Sequence, residues 1–468
     1  MENLYMTFIR DKLRNNYDLH FRNLEMDFGF VYLAFINTIC DEKLISKCII
    51  EPLIATSITT GNIDVLKNDV ITLSLVDDVK DEEDAITQLL HGKVIVAFEF
   101  SDRAICCDVN KYAHRAVEIP PTEAVLKGSR EGFTENLKVN ISLVRKYLRD
   151  ADLKCESMMV GEKSDTEIVI VYIQNVAPSA LVEHIKKEMG QLKKGFILQN
   201  SHVSEQLATK KTAFDTIGYT EKPDVFCAKI SEGRVGVIMS GDPAAITAPC
   251  FLNEMFQAAT SYAAKKEIGN FVRFIRWVAF TIAMLMPGLY IALASHHFGL
   301  IPRLLAFRIA VSRAGVPYPI VIEFLILAIF FQVLREGGLR LPQPIGQAIS
   351  IVGALILGDA AVNSGLASNV TVLVVALSSI ASFLLPAISE AIVIWSFILV
   401  MCSTLLGIPG YFVGFVMFCS HLAGLTSCGY PYMYPFGTLK QFKFKDILLR
   451  GDLNEMSNNI FQEDQKND

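Results

Sequence analysis

The chain has 468 residues, 51% of them hydrophobic and 20% charged, with a mean hydropathy of +0.37 and a formal net charge of −6. Those averages combine two unlike parts: nine charged side chains lie between Trp277 and Leu439, whereas the remainder carries charge at about 27%, the usage of an ordinary soluble domain. A wholly soluble chain is excluded, because uncharged runs of roughly 20 residues, enough to cross a hydrocarbon core as helix, recur in the second part; the pI of about 5.8 argues against nucleic acid as a partner.

In chain order, the first thirty residues are studded with charge and contain no apolar core of signal-peptide length, so the soluble part is expected to stay on the cytoplasmic side. Residues 28–36, FGFVYLAFI, predict a strand, followed by a helix over 41–54. Residues 167–174, EIVIVYIQ, repeat that texture before a helix over 179–192, and Val31–Asn37 aligns with Val169–Asn175 at an offset of 138. Gly92-Lys93-Val94 likewise echoes Gly233-Arg234-Val235 at an offset of 141. Two echoes at nearly one offset predict a duplicated α/β region, with a first subdomain over 1–119 and a second over 153–270.

Between them, a linker over 120–152 carries Gly128-Ser129-Arg130-Glu131-Gly132-Phe133 and predicts a helix from Thr134 to Arg149. Leu137, Ile141, Val144 and Leu148 form its buried stripe, and Thr134 is the expected N-cap. The glycine-flanked turn could present N–H groups to an anion, but no Gly-Lys-Ser/Thr follows, which favours a turn that pins the helix. Ten cysteines show no C-x-x-C pair or zinc spacing, so packed, reduced thiols are expected, with no metal and no cofactor.

The membrane domain is expected over 271–430, with spans at 273–294, 318–334, 345–362, 368–386 and 390–407, and a sixth at 409–426 if Gly407-Ile408-Pro409-Gly410 is a turn. Arg273 and Arg276 before the first span, and Lys440, Lys443, Lys445 and Arg450 in the tail (431–468), place both ends on the cytoplasmic side and call for an even number of crossings. Arg303, Arg308 and Arg313 disturb this pattern; a helix lying at the interface would accommodate them. Ionisable groups within spans are functional candidates, here Glu323, Asp359 and Glu390. The third span is rich in small and polar residues, including Gln347, Ser350 and Gly353, which suit either close helix contact or an aqueous path. No Ser-His-Asp, metal or phosphate-loop constellation points to an enzyme.

The order Gly128–Asn136, Gly233-Arg234-Val235 with Asp242-Pro243, then Leu334-Arg335-Glu336-Gly337-Gly338-Leu339-Arg340-Leu341-Pro342-Gln343-Pro344-Ile345-Gly346-Gln347-Ala348 and Ser350–Leu355 closely resembles the GerA family of spore germination proteins, across about residues 30–450. The resemblance implies an A-type subunit of a nutrient germinant receptor in the inner membrane of the bacterial spore, with its N-terminal region on the core side. It implies assembly with a transporter-like B subunit and a lipoprotein C subunit, and a homo-oligomeric, pentameric, nutrient-gated cation channel. A non-conducting scaffold and the paralogous spoVA-associated branch, which amplifies ion release, are the alternatives it leaves. Members often carry a second acid five residues after the position of Glu323, where this chain has Ala328.

Overall fold

The structure is a computed structural model that describes residues 3–27, 29–55, 62–111, 128–192, 195–208, 210–340, 353, 356, 358–436, 446 and 449–451. The architecture is an α/β N-terminal region followed by a mostly helical bundle, with one two-stranded sheet, Thr426–Ser427 with Tyr430–Pro431, after its last helix. Its first sheet contains β1 (Leu19–Met26), β2 (Gly29–Ile36), β3 (Val76–Asp78), β4 (Lys93–Phe98) and β5 (Ser101–Asp108), in the antiparallel order β1-β2-β4-β5-β3. Helix α1 (Leu4–Lys12) and helix α2 (Glu82–Leu90) pack against it. Asp81 caps α2 by accepting from the Asp84 N–H at 2.7 Å, and Ala85, Ile86, Leu89 and Leu90 form its buried face.

Helix α3 (Leu137–Tyr147) leads into a second sheet made of β6 (Leu153–Val160), β7 (Thr166–Ile173), β8 (Gly218–Thr220), β9 (Val235–Met239) and β10 (Ala245–Ala248). Its order, β6-β7-β9-β10-β8, repeats that of the first sheet position for position. Both sequence echoes fall on equivalent elements, β2 with β7 and β4 with β9. Helices α4 (Ser179–Gly190), α5 (Asn200–Leu207) and α6 (Pro223–Ser231) complete this unit. Gly92 after α2 and Gly233 after α6 both have positive φ, +82° and +99°, and each donates to a carbonyl of the preceding helix, Leu89 and Ile230. A glycine is required there because the chain must leave a helix through the left-handed region to enter a central strand.

The described part of the expected linker belongs to the second unit's core: Phe133, Leu137, Ile141 and Val144 pack with Val169, Val171 and Phe226. The N-cap of α3 is Asn136, not Thr134; the Asn136 side chain accepts from the N–H groups of Lys138 and Val139, while Thr134 is engaged by Asn140. Arg145 on α3 joins the two units, with Nε and Nη2 each 2.6 Å from the Asp18 carboxylate and both residues buried.

The bundle comprises α7 (Lys266–Ser295), α8 (Arg303–Arg313), α9 (Ile320–Arg340), α10 (Asn369–Phe383), α11 (Ser389–Leu406) and α12 (Ile408–Ala423), with a further helical stretch at 358–363. Side-chain contacts fix the direction of each helix. Trp277 near the start of α7 stacks on Phe256 beside the soluble region, which defines the proximal end. At the distal end of α7, His297 lies against Gly407, and Tyr290 bonds to Thr371 at the start of α10. Arg335 late in α9 donates to Ser389 at the start of α11 at 2.6 Å, so α9 runs back to the proximal end. Stretch 358–363 and the start of α10 lie distally, where Gly365 approaches the Gly315 carbonyl. Helix α11 then runs outward and α12 returns.

Gly407, with φ +68°, is therefore a turn between two antiparallel helices rather than a kink. Two helices, Lys266–Ser295 and Pro386–Leu406, are long and apolar enough to cross a membrane by themselves; Asn369–Phe383 and Ile408–Ala423 are shorter apolar helices.

Candidate functional site

The bundle's carboxylates do not converge. Glu323 lies in the first turn of α9, at the distal end, and is fully buried. Its Oε1 pairs with the Arg313 guanidinium at 3.1 Å, and its Oε2 accepts from the Ser368 N–H and the Thr371 hydroxyl, both at 3.0 Å. Ser368 is itself the N-cap of α10, bonded to Thr371, and Thr371 bonds onward to Tyr290 of α7. One carboxylate thus ties together four helices, α7 through α10. A negative charge at a helix N-terminus is stabilised by its unpaired N–H groups, and the adjacent arginine completes the neutralisation.

Asp359 is exposed on the helical stretch towards the distal end, and Glu390 is exposed at the proximal start of α11. A Cβ on Gly353 would stand 2.9 Å from Leu334 Cδ2, so Gly353 lies against α9. Gln347 and Ser350 lie outside the described residues.

The motif at 128–133 is a hydrogen-bonded clamp on α3. Glu131 pairs with Lys146 at 2.6 Å and accepts from the Tyr147 hydroxyl at 3.0 Å, and that hydroxyl also meets Ser129 Oγ at 3.0 Å. Gly128 supplies a φ of +116°, Gly132 is buried and Arg130 is exposed. Phe133 packs edge-on against Phe226, and its N–H donates to the Glu221 carbonyl at 2.7 Å.

Between the second sheet and the bundle is a buried ionic junction that single-sequence reading does not find. Glu254 receives Arg234 Nη2 and Lys229 Nζ, both at 3.1 Å, and the Phe251 N–H at 2.8 Å; Arg234 Nη1 reaches Glu232 at 3.1 Å. Burial alone raises the Glu254 pKa, but Arg234 and Lys229 more than offset it and the net direction is down. The Glu232 carboxyl, with burial dominant, goes up. Arg276 of α7 continues the junction with bonds to the Phe256 carbonyl and Ser261 Oγ. The tail closes it: Asp446 accepts from Arg273 and Tyr262 at 2.6 Å each, and Arg450 caps the carbonyls of Ser261, Tyr262 and Ala264. Arg273 is fully buried, with its Nη1 paired to Asp446. The sequence offered only Gly-Arg-Val as a hint; Glu254 is one acid in Leu-Asn-Glu-Met-Phe and its partners lie 20 and 25 residues away.

Asp215 lies beside this junction. Its side chain reaches solvent, yet desolvation by the surrounding protein, followed by the charge of Glu390, raises its pKa to about 6. A raised folded-state pKa contributes stability below the ordinary carboxylate value that is lost as pH rises through the folded value. Asp215→Asn is accordingly expected to flatten the dependence of melting temperature on pH between about 4 and 6. Melting curves across that window, on the wild type and the variant, check it.

Among the described residues no group of three or more His, Cys, Asp or Glu could hold a metal ion. The described cysteines are free thiols, mostly buried, and Cys106 and Cys107 are both in the first core.

Residues 7–460 match the family described as Bacillus/Clostridium GerA spore germination protein. Spore germination protein KA of Bacillus subtilis (strain 168) is 32% identical over 431 residues, covering 91% of this chain and 79% of that protein. Spore germination protein GerLA of Bacillus cereus is 31% identical over 452 residues, 95% of this chain and 92% of that protein. The crystal structure of the N-terminal domain of the A subunit of the Bacillus megaterium spore germinant receptor GerK3 aligns with a TM-score of 0.38 at 22% identity, over 53% of this chain and 94% of that one. With the family matched across nearly the whole chain, this protein belongs to the GerA spore germination protein family.

Proposed function

We propose that the chain is a multi-pass membrane subunit of a spore germinant receptor, with six crossings, the soluble region on the core side of the inner spore membrane, and transporter-like and lipoprotein partners. The supporting observation is the bundle itself: Arg273 near the start of α7 pairs with Asp446 of the tail, which is the arrangement that an even number of passes calls for. Its outer surface is apolar, as a lipid-facing surface must be, with Phe274, Leu405 and Val416 exposed. The sixth crossing is assigned to the span expected over 345–362.

Copies of this subunit are proposed to assemble as a ring, pentameric by family resemblance, and to conduct cations when nutrient binds the partner subunit. Nutrient acts by binding the open arrangement better than the closed one. Helix α9 and the span expected over 345–362 are the proposed lining of the path, with Gln347, Ser350 and Gly353 as its candidate residues, Asp359 and Glu390 near its ends, and the Glu323–Arg313 pair holding α9 in register. Residues 128–133 hold the soluble region rigid enough to transmit the bias.

Gly353→Leu, which must displace Leu334 at an overpacking cost of roughly 1–3 kcal/mol, is expected to reduce nutrient-triggered cation release about tenfold or more. Glu323→Gln, which keeps the shape but removes the charge facing Arg313, is expected to alter the threshold for release. Ion flux from vesicles holding the reconstituted receptor, read beside germination of spores, checks both; unchanged flux in both variants places the path elsewhere. Complete satisfaction of Glu323 within one subunit favours a second reading, a scaffold that docks the nutrient-binding partner without conducting. Cysteines at Ile329 and Val333 separate the two, since a ring predicts symmetric self-crosslinks between copies of α9.

A further inference from the structure

Helix α8 has a division of faces that the bundle does not use. At 100° per residue, Ala306, Ile309 and Arg313 fall on one side and turn inward: the first two are buried and the third pairs with Glu323. The opposite side is apolar but exposed, with Leu304 71%, Phe307 68% and Val311 58% accessible. Arg303 and Arg308 flank that stripe, each about 70° from its centre on the helical wheel. Both are exposed, and among the described residues neither has an ion-pair partner.

The five-residue spacing of the arginines is what produces this. Successive members sit about 140° apart, so two straddle the apolar stripe and the third points into the bundle. Eleven residues of helix span only about 16 Å, far short of a hydrocarbon core. A short helix with an outward apolar stripe between two unpaired cations is suited to the membrane–water boundary, where the stripe enters the acyl region and the guanidinium groups reach the phosphates.

We propose that α8 is an interfacial helix that binds anionic phospholipid headgroups in the leaflet at the distal end of the bundle, through Arg303 and Arg308. Because Arg313, on the same helix, holds the Glu323 carboxylate that caps α10, lipid bound at α8 acts directly on the element that positions α9. Charge complementarity selects the ligand: the outward face presents two cations and no acid, so an anionic headgroup is favoured over a zwitterionic one. This inference rests on the membrane reading given above.

The test uses the full chain, reconstituted with its partner subunits into phosphatidylcholine vesicles with and without phosphatidylglycerol. Retention of lipid by the purified complex and its melting temperature are the readouts. The wild type is expected to retain phosphatidylglycerol preferentially and to melt higher in its presence. Arg303→Gln with Arg308→Gln is expected to cut that preference about five-fold per arginine, leaving the melt in pure phosphatidylcholine unchanged. An undiminished preference in the double variant overturns the proposal, as does a changed oligomeric state with unchanged lipid selection, which would assign the stripe to a neighbouring copy. Failure of the wild type to insert into either vesicle overturns the membrane reading itself, and so is distinguishable from insertion without lipid selection.

Discussion

Glu254→Ala is expected to destabilise the connection between the soluble region and the bundle by roughly 3–5 kcal/mol, the cost of leaving a buried charge without its partner. Two cations, Lys229 and Arg234, converge on this carboxylate at 3.1 Å, and the side chains of Arg234 and Glu254 are 5% and 4% exposed. Removing Glu254 leaves Glu232 as the remaining acid on Arg234 and deprives Lys229 of its ion pair. The Phe251 N–H also loses its acceptor. Protease cleavage between about 250 and 265, and thermal unfolding of the full chain in detergent, should both register the loss. Substituting Lys229, Arg234 and Glu254 together by Met, with Glu232→Gln so that no acid is left without Arg234, should recover most of the stability, because replacing a buried ionic cluster with uncharged groups of similar volume removes the desolvation penalty along with the attraction.

The pH dependence of this junction has a defined sign. The folded-state pKa of Glu254 is lowered, so its contribution is complete above the ordinary glutamate value of about 4.3 and is lost as pH falls through the folded value. Between pH 5 and 8 the wild-type Glu254 contribution should therefore be flat.

Asp18→Ala is the second substitution with a large expected effect, again roughly 3–5 kcal/mol. Arg145 is 2% exposed and Asp18 is 0% exposed at the side chain, and the guanidinium is held through two parallel bonds. Asn16, beside Asp18, accepts from Arg145 and from the Cys155 N–H, and Thr38 donates to Asp18. The network spans both α/β units, so the variant should make them separable: proteolysis should release fragments corresponding to the units, and unfolding should broaden or split into two steps. Asp18→Leu combined with Arg145→Met tests whether the loss comes from an orphaned guanidinium, since the double replacement should be markedly more stable than Asp18→Ala alone.

Much of the fold was legible in local pattern. Of the two echoed strands, Thr166–Ile173 is buried on both faces from Ile168 onward and Gly29–Ile36 is buried at Val31, Leu33, Ala34 and Ile36, and such strands show as continuous apolar, β-branched runs. The α3 stripe was equally visible, because three of its four members sit in one core. Asn136, not Thr134, is the cap: threonine and asparagine two residues apart are both good caps, and the engagement of Thr134 by Asn140, six residues on, decides between them. The first bundle helix extends from Lys266, earlier than hydropathy indicates; in its charged first turns Gly269 and Arg273 are buried, Arg273 against Asp446, while Glu267 is exposed.

The sequence by itself determined the division of the chain near Trp277, the α/β texture before it, the helical texture after it and, through its motifs, the family. These follow from composition, periodicity and short segments, all of which are local. The tertiary structure decided which charges neutralise which. Arg313 lies ten residues from Glu323, Arg145 lies 127 from Asp18, and Arg273 lies 173 from Asp446. Desolvation and pairing depend on distance in space, and no local pattern encodes that. The same reason settles Gly407: only the contacts of the helices on either side make it a turn, and so bring the start of α7 and the tail to the same end of the bundle.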